Sequence, residues 1–332
     1  MKALLLALLL QWINYPTPGT PRLPDGKPNL SAPTPRTADG KPDLSGVWRG
    51  AGPLYRFNIA QDLKAGDVQP WAEELFLKRV RDSRMDSPLA KCHPVSVPYH
   101  NFFNLMRIVE TPTLKLFMYE SPNSPYRTVY TDGRDLPKNP NPAWLGYSIG
   151  KWEGDTFVVT TAGFSDQGWL DSAGHPQTES LRLTERLHRR DFGHMDFEMT
   201  LDDPKVFTHP VTIKTVRELS PDTDLLEDVC ENERDQVHMS GDTGVRVNPA
   251  VLATYAGVYQ LAPGREFIVS ASGDLLFVQG LNEPKLPLLP QSETVFLSTA
   301  TPTGFTFVKD TQGKVTSVIV HGDAGEQRAT RK

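Results

Sequence analysis

Cysteine is scarce in this chain, with Cys92 and Cys230 the only two among 332 residues. They form one disulfide or stay two independent thiols. Cys92, His93 and His100 lack the tight ligand spacing of a structural zinc site, so no metal or other cofactor is expected. An excess of one charge is missing too. The net charge of −5 gives no reason to expect nucleic acid or an anionic membrane as a partner. The one basic cluster, Arg186 to Arg190, alternates in the manner of a solvated strand face. Apolar runs are short. Ala3 to Leu10 is an eight-residue run, far below the ~20 residues that span a bilayer, and no other stretch could cross one. With Met1-Lys2 ahead of it, residues 1–14 read as a secretory signal lacking a clear small-x-small cleavage site. The expected location is periplasmic or extracellular, where the disulfide is favoured.

Proline, in contrast, is abundant, with 29 in all and eight between residues 15 and 45. Within that stretch Asp25-Gly26-Lys27-Pro28-Asn29-Leu30-Ser31 nearly repeats as Asp39-Gly40-Lys41-Pro42-Asp43-Leu44-Ser45. Proline removes backbone donors and Asp-Gly makes turns, so residues 15–44 are expected to form an extended arm. The chain length favours two folded units beyond it. The expected boundaries are a lipocalin-like β-barrel domain at 45–230, a polar linker at 231–250 and a small C-terminal β domain at 251–332.

The first unit opens with Ser45-Gly46-Val47-Trp48. One helix is expected from Asp67 and Pro70, with Trp71, Leu75, Phe76 and Val80 on its apolar side, as a lid or plug on the barrel. From Leu105 the period changes to two, and short β-branched or aromatic runs separated by Pro and Gly turns read as an antiparallel meander. On the third run Tyr126, Thr128 and Tyr130 share one face and Arg127 and Val129 the other, so Arg127 or Tyr130 faces inward, not both. Asp132-Gly133 then leads into a proline-spaced crossing that ends at Trp144.

Two hairpins follow, Tyr147 to Thr161 and Leu181 to Leu201. In the second, a three-residue loop with Gly193 in the left-handed conformation keeps both apolar sets on one face. It places Leu187 opposite Phe197, Arg186 opposite Glu198 and His188 opposite Asp196. The same register turns Glu185 inward, where a carboxylate must pair with a core arginine or take a catalytic role. Strands at Val211 to Leu219 and Leu225 to Cys230 complete nine or ten. After the linker, Leu252 to Tyr259 restarts a β domain that continues in six further strands to His321.

Gly146-Tyr147-Ser148-Ile149-Gly150 matches G-x-S-x-G, and Ser148 to Lys151 matches S-x-x-K. Neither is expected to carry a nucleophile, because the chain runs on into a turn and a strand where the chemistry needs a helix. The connection between the hairpins, Gly163 to Thr178, is longer than an ordinary turn, and such loops are commonly lids or binding loops. It carries Asp166, Trp169, Asp171 and His175.

Asp39 to Trp48, Gln69 to Ala72, Trp144 to Asp155, Asp171 to Glu179 and Glu185 to Asp191 together resemble a family of exported bacterial proteins with lipocalin-like β architecture. The resemblance covers nearly the whole chain. The part from Tyr255 resembles the small lipocalin-like domain found after serine β-lactamase-like hydrolases. The hydrolase domain that precedes such a tail is not evident here, so the resemblance does not bring that activity with it.

The expected fold is therefore mainly all-β: a lipocalin-like meander barrel with one helix, then a smaller β-meander or barrel. The expected function is cofactor-free acid/base chemistry on a small, partly apolar molecule: hydrolysis, isomerisation or elimination. His175 with Asp171 or Glu179 would move the proton, Glu185 would assist, and Trp169, Asp166, Arg127, Tyr130 and Trp144 would bind the ligand. The alternatives are a non-catalytic lipocalin-like binding protein and an envelope interaction module that uses the proline arm.

Overall fold

The computed structural model describes residues 15–50, 54–82, 86–102, 105–121, 126–226, 230, 244–281, 285–298, 303–322 and 325–332. The signal-like segment, residues 1–14, and most of the expected linker, 231–243, lie outside the described residues. The chain forms two closed β-barrels of nine and eight strands.

The first barrel runs β1 (Gly46–Arg49), β2 (Leu105–Glu110), β3 (Leu114–Tyr119), β4 (Tyr126–Tyr130), β5 (Tyr147–Glu153), β6 (Thr156–Ala162), β7 (Arg182–Arg189), β8 (His194–Asp202) and β9 (Val211–Leu219). It closes where Trp48 of β1 pairs with Leu219 of β9. Residues 225–226 are therefore not needed as a strand and do not form one, while 227–229 lie outside the described residues. One pair departs from the expected antiparallel meander. β4 and β5 are parallel, with Val129 opposite Ser148, because the proline-spaced crossing carries the chain back before the next strand starts, as a parallel pair requires.

Apolar alternation builds the core. Phe157, Val159, Leu183, Leu187, Phe197, Met199, Leu201 and Ile213 all point inward. The β7–β8 register is the expected one, with Leu187 opposite Phe197 and His188 opposite Asp196. Gly193, however, is not left-handed. A Cβ there would come 2.4 Å from the Leu30 side chain and 2.9 Å from the Leu30 backbone. Glycine is required because the arm lies directly on the turn, where Phe192 N–H donates to Ala32 O and Gly193 N–H to Leu30 O, both at 2.7 Å.

The arm's near-repeat is a structural repeat. In each copy an arginine closes a small turn, with Arg22 Nη1 on Gly26 O at 3.0 Å and Arg36 Nη1 on Gly40 O at 2.7 Å. The same guanidiniums grip barrel carboxylates in two-point contacts: Arg22 holds Asp222 (2.7 and 2.9 Å) and Arg36 holds Asp155 (2.6 and 3.1 Å). Arm and barrel are thus joined at two matched points.

More than the single expected helix is present: α1 (Leu54–Phe57), α2 (Pro70–Arg81), α3 (Val97–Asn101) and α4 (Pro249–Tyr255). α4 replaces the expected strand restart at Leu252. In α2 the buried side is Ala72, Phe76, Arg79 and Val80, whereas Trp71 is exposed and donates Nε1–H to Lys205 O at 2.6 Å. Among its buried apolar residues α2 joins the first barrel's core with Ala72 alone. It is wedged between the long loop and the second barrel, in an apolar cluster of Phe76, Val80, Ala173, Leu275, Phe277 and Leu289.

The second barrel comprises β10 (Gly257–Ala262), β11 (Arg265–Ser272), β12 (Leu275–Gly280), β13 (Leu286–Pro290), β14 (Val295–Ser298), β15 (Gly304–Lys309), β16 (Val315–Gly322) and β17 (Gly325–Arg331). β17, absent from the sequence reading, closes it against β10 and β16. Its run, GEQRATR, is too polar to signal a strand, and Ala329 is its buried residue. Cys92 and Cys230 form a disulfide with Cα atoms 5.6 Å apart.

Candidate functional site

Of the residues expected to form one site, some gather in two separate places and the rest are dispersed. Trp169, Asp171 and His175 come together in the long loop under α2. Asp171 is fully buried and its carboxylate accepts four hydrogen bonds, from the backbone N–H groups of Ile59 (2.6 Å), Gly174 (2.9 Å) and His175 (3.1 Å) and from His175 Nδ1 (2.6 Å). The His175 ring stacks on Phe76 with centroids 4.1 Å apart. Arg79 lies over Trp169 at 4.5 Å and donates to Gly174 O at 3.0 Å. The loop is thus a packed Ω-type loop whose backbone groups are served by its own carboxylate.

The other expected residues are dispersed. Asp166 and Glu179 are exposed, so Glu179 is not part of the buried Asp171–His175 pair. Trp144 packs against His93, with centroids at 5.3 Å. Tyr130 is on the outer face of β4, stacked on Tyr147 and covered by Arg134 at 3.9 Å. Period-two geometry therefore resolves the choice on β4 in favour of an inward Arg127. Ser148 is buried within β5, hydrogen-bonded to the Thr161 hydroxyl at 2.9 Å.

Inside the first barrel, Arg127 and Glu185 meet in a buried two-point ion pair, with contacts of 2.7 and 3.1 Å. Four residues that the sequence reading did not assign to a site join them. Asn101, at the end of α3, donates Nδ2–H to Glu185 Oε1 at 2.9 Å. Arg217 of β9 donates Nη2–H to Asn101 O and Oδ1, both at 3.0 Å. His100 stacks on Tyr119 with centroids at 4.3 Å. α3 thus enters the barrel and presents His100 and Asn101 to its inner wall. Its first turn is held from the other side, where Ser96 Oγ–H donates to Trp169 O at 2.5 Å. The long loop braces the helix that furnishes part of the cluster.

This cluster is electrostatically unusual. His100, Tyr119, Arg127 and Arg217 are all buried. Both ring nitrogens of His100, the Tyr119 hydroxyl, and the Nε atoms of Arg127 and Arg217 have no protein partner in strict hydrogen-bonding geometry. Tyr119 and Arg127 are nonetheless close enough to act on each other, as is the Val95 backbone on His100, so the Arg217 Nε–H is the group left most plainly unserved. Burial, with the neighbouring Arg127 charge, pushes His100 down to about 3 against a smaller opposing pull from the Val95 backbone. Burial pushes the Tyr119 hydroxyl up to about 12 and Arg217 down to about 10. Burial also disfavours the Arg127 charge, but Glu185 and then Tyr119 outweigh it and raise its pKa. At neutral pH the cluster therefore holds two guanidiniums, a neutral imidazole and a neutral phenol beside Glu185.

Arg189 gives the contrast. It too is buried, over the Trp48 ring at 4.9 Å, and so departs from the solvated face expected of Arg186 to Arg190. Yet its Nε and both Nη atoms donate to the carbonyls of Asp43, Asp191 and Phe192. Arg189 is a satisfied structural cation, whereas the Arg217 Nε–H is not satisfied. Compared with known proteins, the chain matches no family model and no curated protein.

Proposed function

We propose that the protein is an exported small-molecule-binding protein whose site is the polar cluster inside the first barrel. The observation that carries this reading is the set of buried, unpartnered polar atoms on His100, Tyr119, Arg127 and Arg217. Buried polar groups in native proteins are paired with few exceptions, by protein, water or ligand, so such a concentration supports a site where a ligand would supply partners. Phe117, Phe197 and Met199, which pack against Arg127, Arg217 and Asn101, are the apolar side chains that would meet the rest of the same molecule. The Cys92–Cys230 disulfide and the signal-like Met1 to Leu10 support export. The second barrel, with its aromatic core of Tyr259, Phe267, Phe305 and Phe307, is read as an accessory module.

Titration with an amphiphilic, anionic fluorescent probe, 8-anilinonaphthalene-1-sulfonate, tests the reading. Saturable one-to-one binding that Met199→Trp abolishes in a folded variant supports it. Binding that does not saturate, or that Met199→Trp leaves intact, counts against it.

The 2.6 Å contact between His175 Nδ1 and Asp171 favours a second reading, acid/base catalysis with Asp171 orienting the imidazole. Hydrolysis of a panel of small esters and lactones by the wild type and by His175→Ala separates the two. Turnover lost while probe affinity is kept would establish chemistry at His175, and equal turnover would end that reading.

A further inference from the structure

The cluster inside the first barrel carries more positive than negative charge. Glu185 is taken in two-point contact by Arg127. Arg217, 1% exposed, has only the neutral oxygens of Asn101 as hydrogen-bond acceptors and the Phe197 ring beneath it at 4.2 Å. A buried guanidinium lacking a counter-ion of its own is costly, and removing that cost is a source of affinity for an anion. Within the cluster every unpartnered group except one His100 nitrogen can donate: the Nε–H groups of Arg127 and Arg217, the Tyr119 hydroxyl and whichever His100 nitrogen holds the proton.

We propose that the first barrel binds a monoanionic carboxylate with an apolar body, its head group paired with Arg217 and hydrogen-bonded by Tyr119, Arg127 and His100. This rests on the binding function proposed above and adds the ligand's charge and class. A monoanion is the balanced choice. One negative charge brings Arg127, Arg217 and Glu185 to neutrality, whereas a dianionic phosphate would leave an excess negative charge in a low-dielectric interior. Phe117, Phe197 and Met199 favour an apolar body over a second polar end.

Isothermal titration of the full chain with hexanoate and benzoate, their neutral amides and inorganic phosphate tests this. The expected result is carboxylate binding at least tenfold tighter than binding of the matching amide, with phosphate weaker than either carboxylate. Arg217→Met, which exchanges a buried charge for an apolar chain of similar length, should weaken carboxylate binding at least tenfold and narrow the gap to the amide. Arg217→Lys should restore part of it. Tyr119→Phe, the gentler variant, should weaken carboxylate binding severalfold should Arg217→Met fail to fold. Amides that bind as tightly as carboxylates, or phosphate that binds more tightly, would overturn the charge assignment while leaving a binding site in place. No binding of either carboxylates or amides would overturn both proposals.

Discussion

His100 is the residue whose burial has the clearest consequence for stability. Its imidazole stays neutral in the folded state down to about 3, against 6.5 for the exposed side chain. The unfolded chain therefore takes up a proton that the native state refuses. Because the folded value is depressed, the contribution is fully present above about pH 6.5 and is lost as pH falls toward 3. By linkage the whole window is worth up to roughly 5 kcal/mol. His100→Phe keeps an aromatic ring on Tyr119 and removes the titration. Urea unfolding at pH 7 and pH 4 should then show a much smaller loss for the variant than for the wild type. Parallel losses would mean that the folded protein accommodates the charged imidazole.

Among elements, the long loop and the arm have the most to teach. Asp171 serves three backbone donors and one imidazole from a buried position. Asp171→Ala strands the N–H groups of Ile59, Gly174 and His175, each at a cost of about 1–3 kcal/mol. The expected loss in denaturant unfolding is at least ~3 kcal/mol, and a loss below ~1 kcal/mol would mean that the loop is not held from this carboxylate. The arm makes a second case. Gly193→Ala drives a Cβ into Leu30 and should lift the arm from the β7–β8 turn, speeding tryptic cleavage after Arg36 while the barrel's melting temperature changes little. An unchanged cleavage rate would show that the two arginine clamps hold the arm unaided.

These elements also separate what the sequence made legible from what it did not. Alternation was enough for both barrels, for the β7–β8 register and for an inward Glu185 that needs an arginine. The same alternation places Arg217 on one face with Val211, Ile213 and Leu219, and Tyr119 with Lys115 and Phe117. Both are therefore readable in principle from period two alone. His100 and Asn101 were not readable, because α3 is barely more than one turn and shows no period. The crowding of Asp171, Trp169 and His175 sets the loop apart, but composition does not distinguish a carboxylate that does chemistry from one that ties down backbone. β17 was hidden because a closing strand with a single buried alanine gives almost no apolar signal.

At the scale of the whole molecule, the two barrels are coupled through α2. Leu275, Leu276, Phe277 and Val278 of β12 are all buried. Leu276 and Val278 belong to the second barrel's own core, whereas Leu275 and Phe277 face outward onto Phe76 and Val80. A continuous apolar run is what a strand covered on both faces requires. The same buried side of α2 also meets the long loop, since Ala173 joins that cluster, His175 stacks on Phe76 and Arg79 holds Gly174. That loop in turn holds α3 through Trp169 and Ser96, so a disturbance at β12 should travel to the polar cluster by contiguous packing. Phe277→Asp puts a charge into the junction without touching either barrel core. The expected outcome is two separated calorimetric transitions and faster hydrogen exchange at the Gly174 and His175 amides, with carboxylate affinity reduced because α3 is less firmly held. A single transition at the wild-type temperature, with exchange unchanged, would mean that the barrels are neighbours rather than a coupled pair.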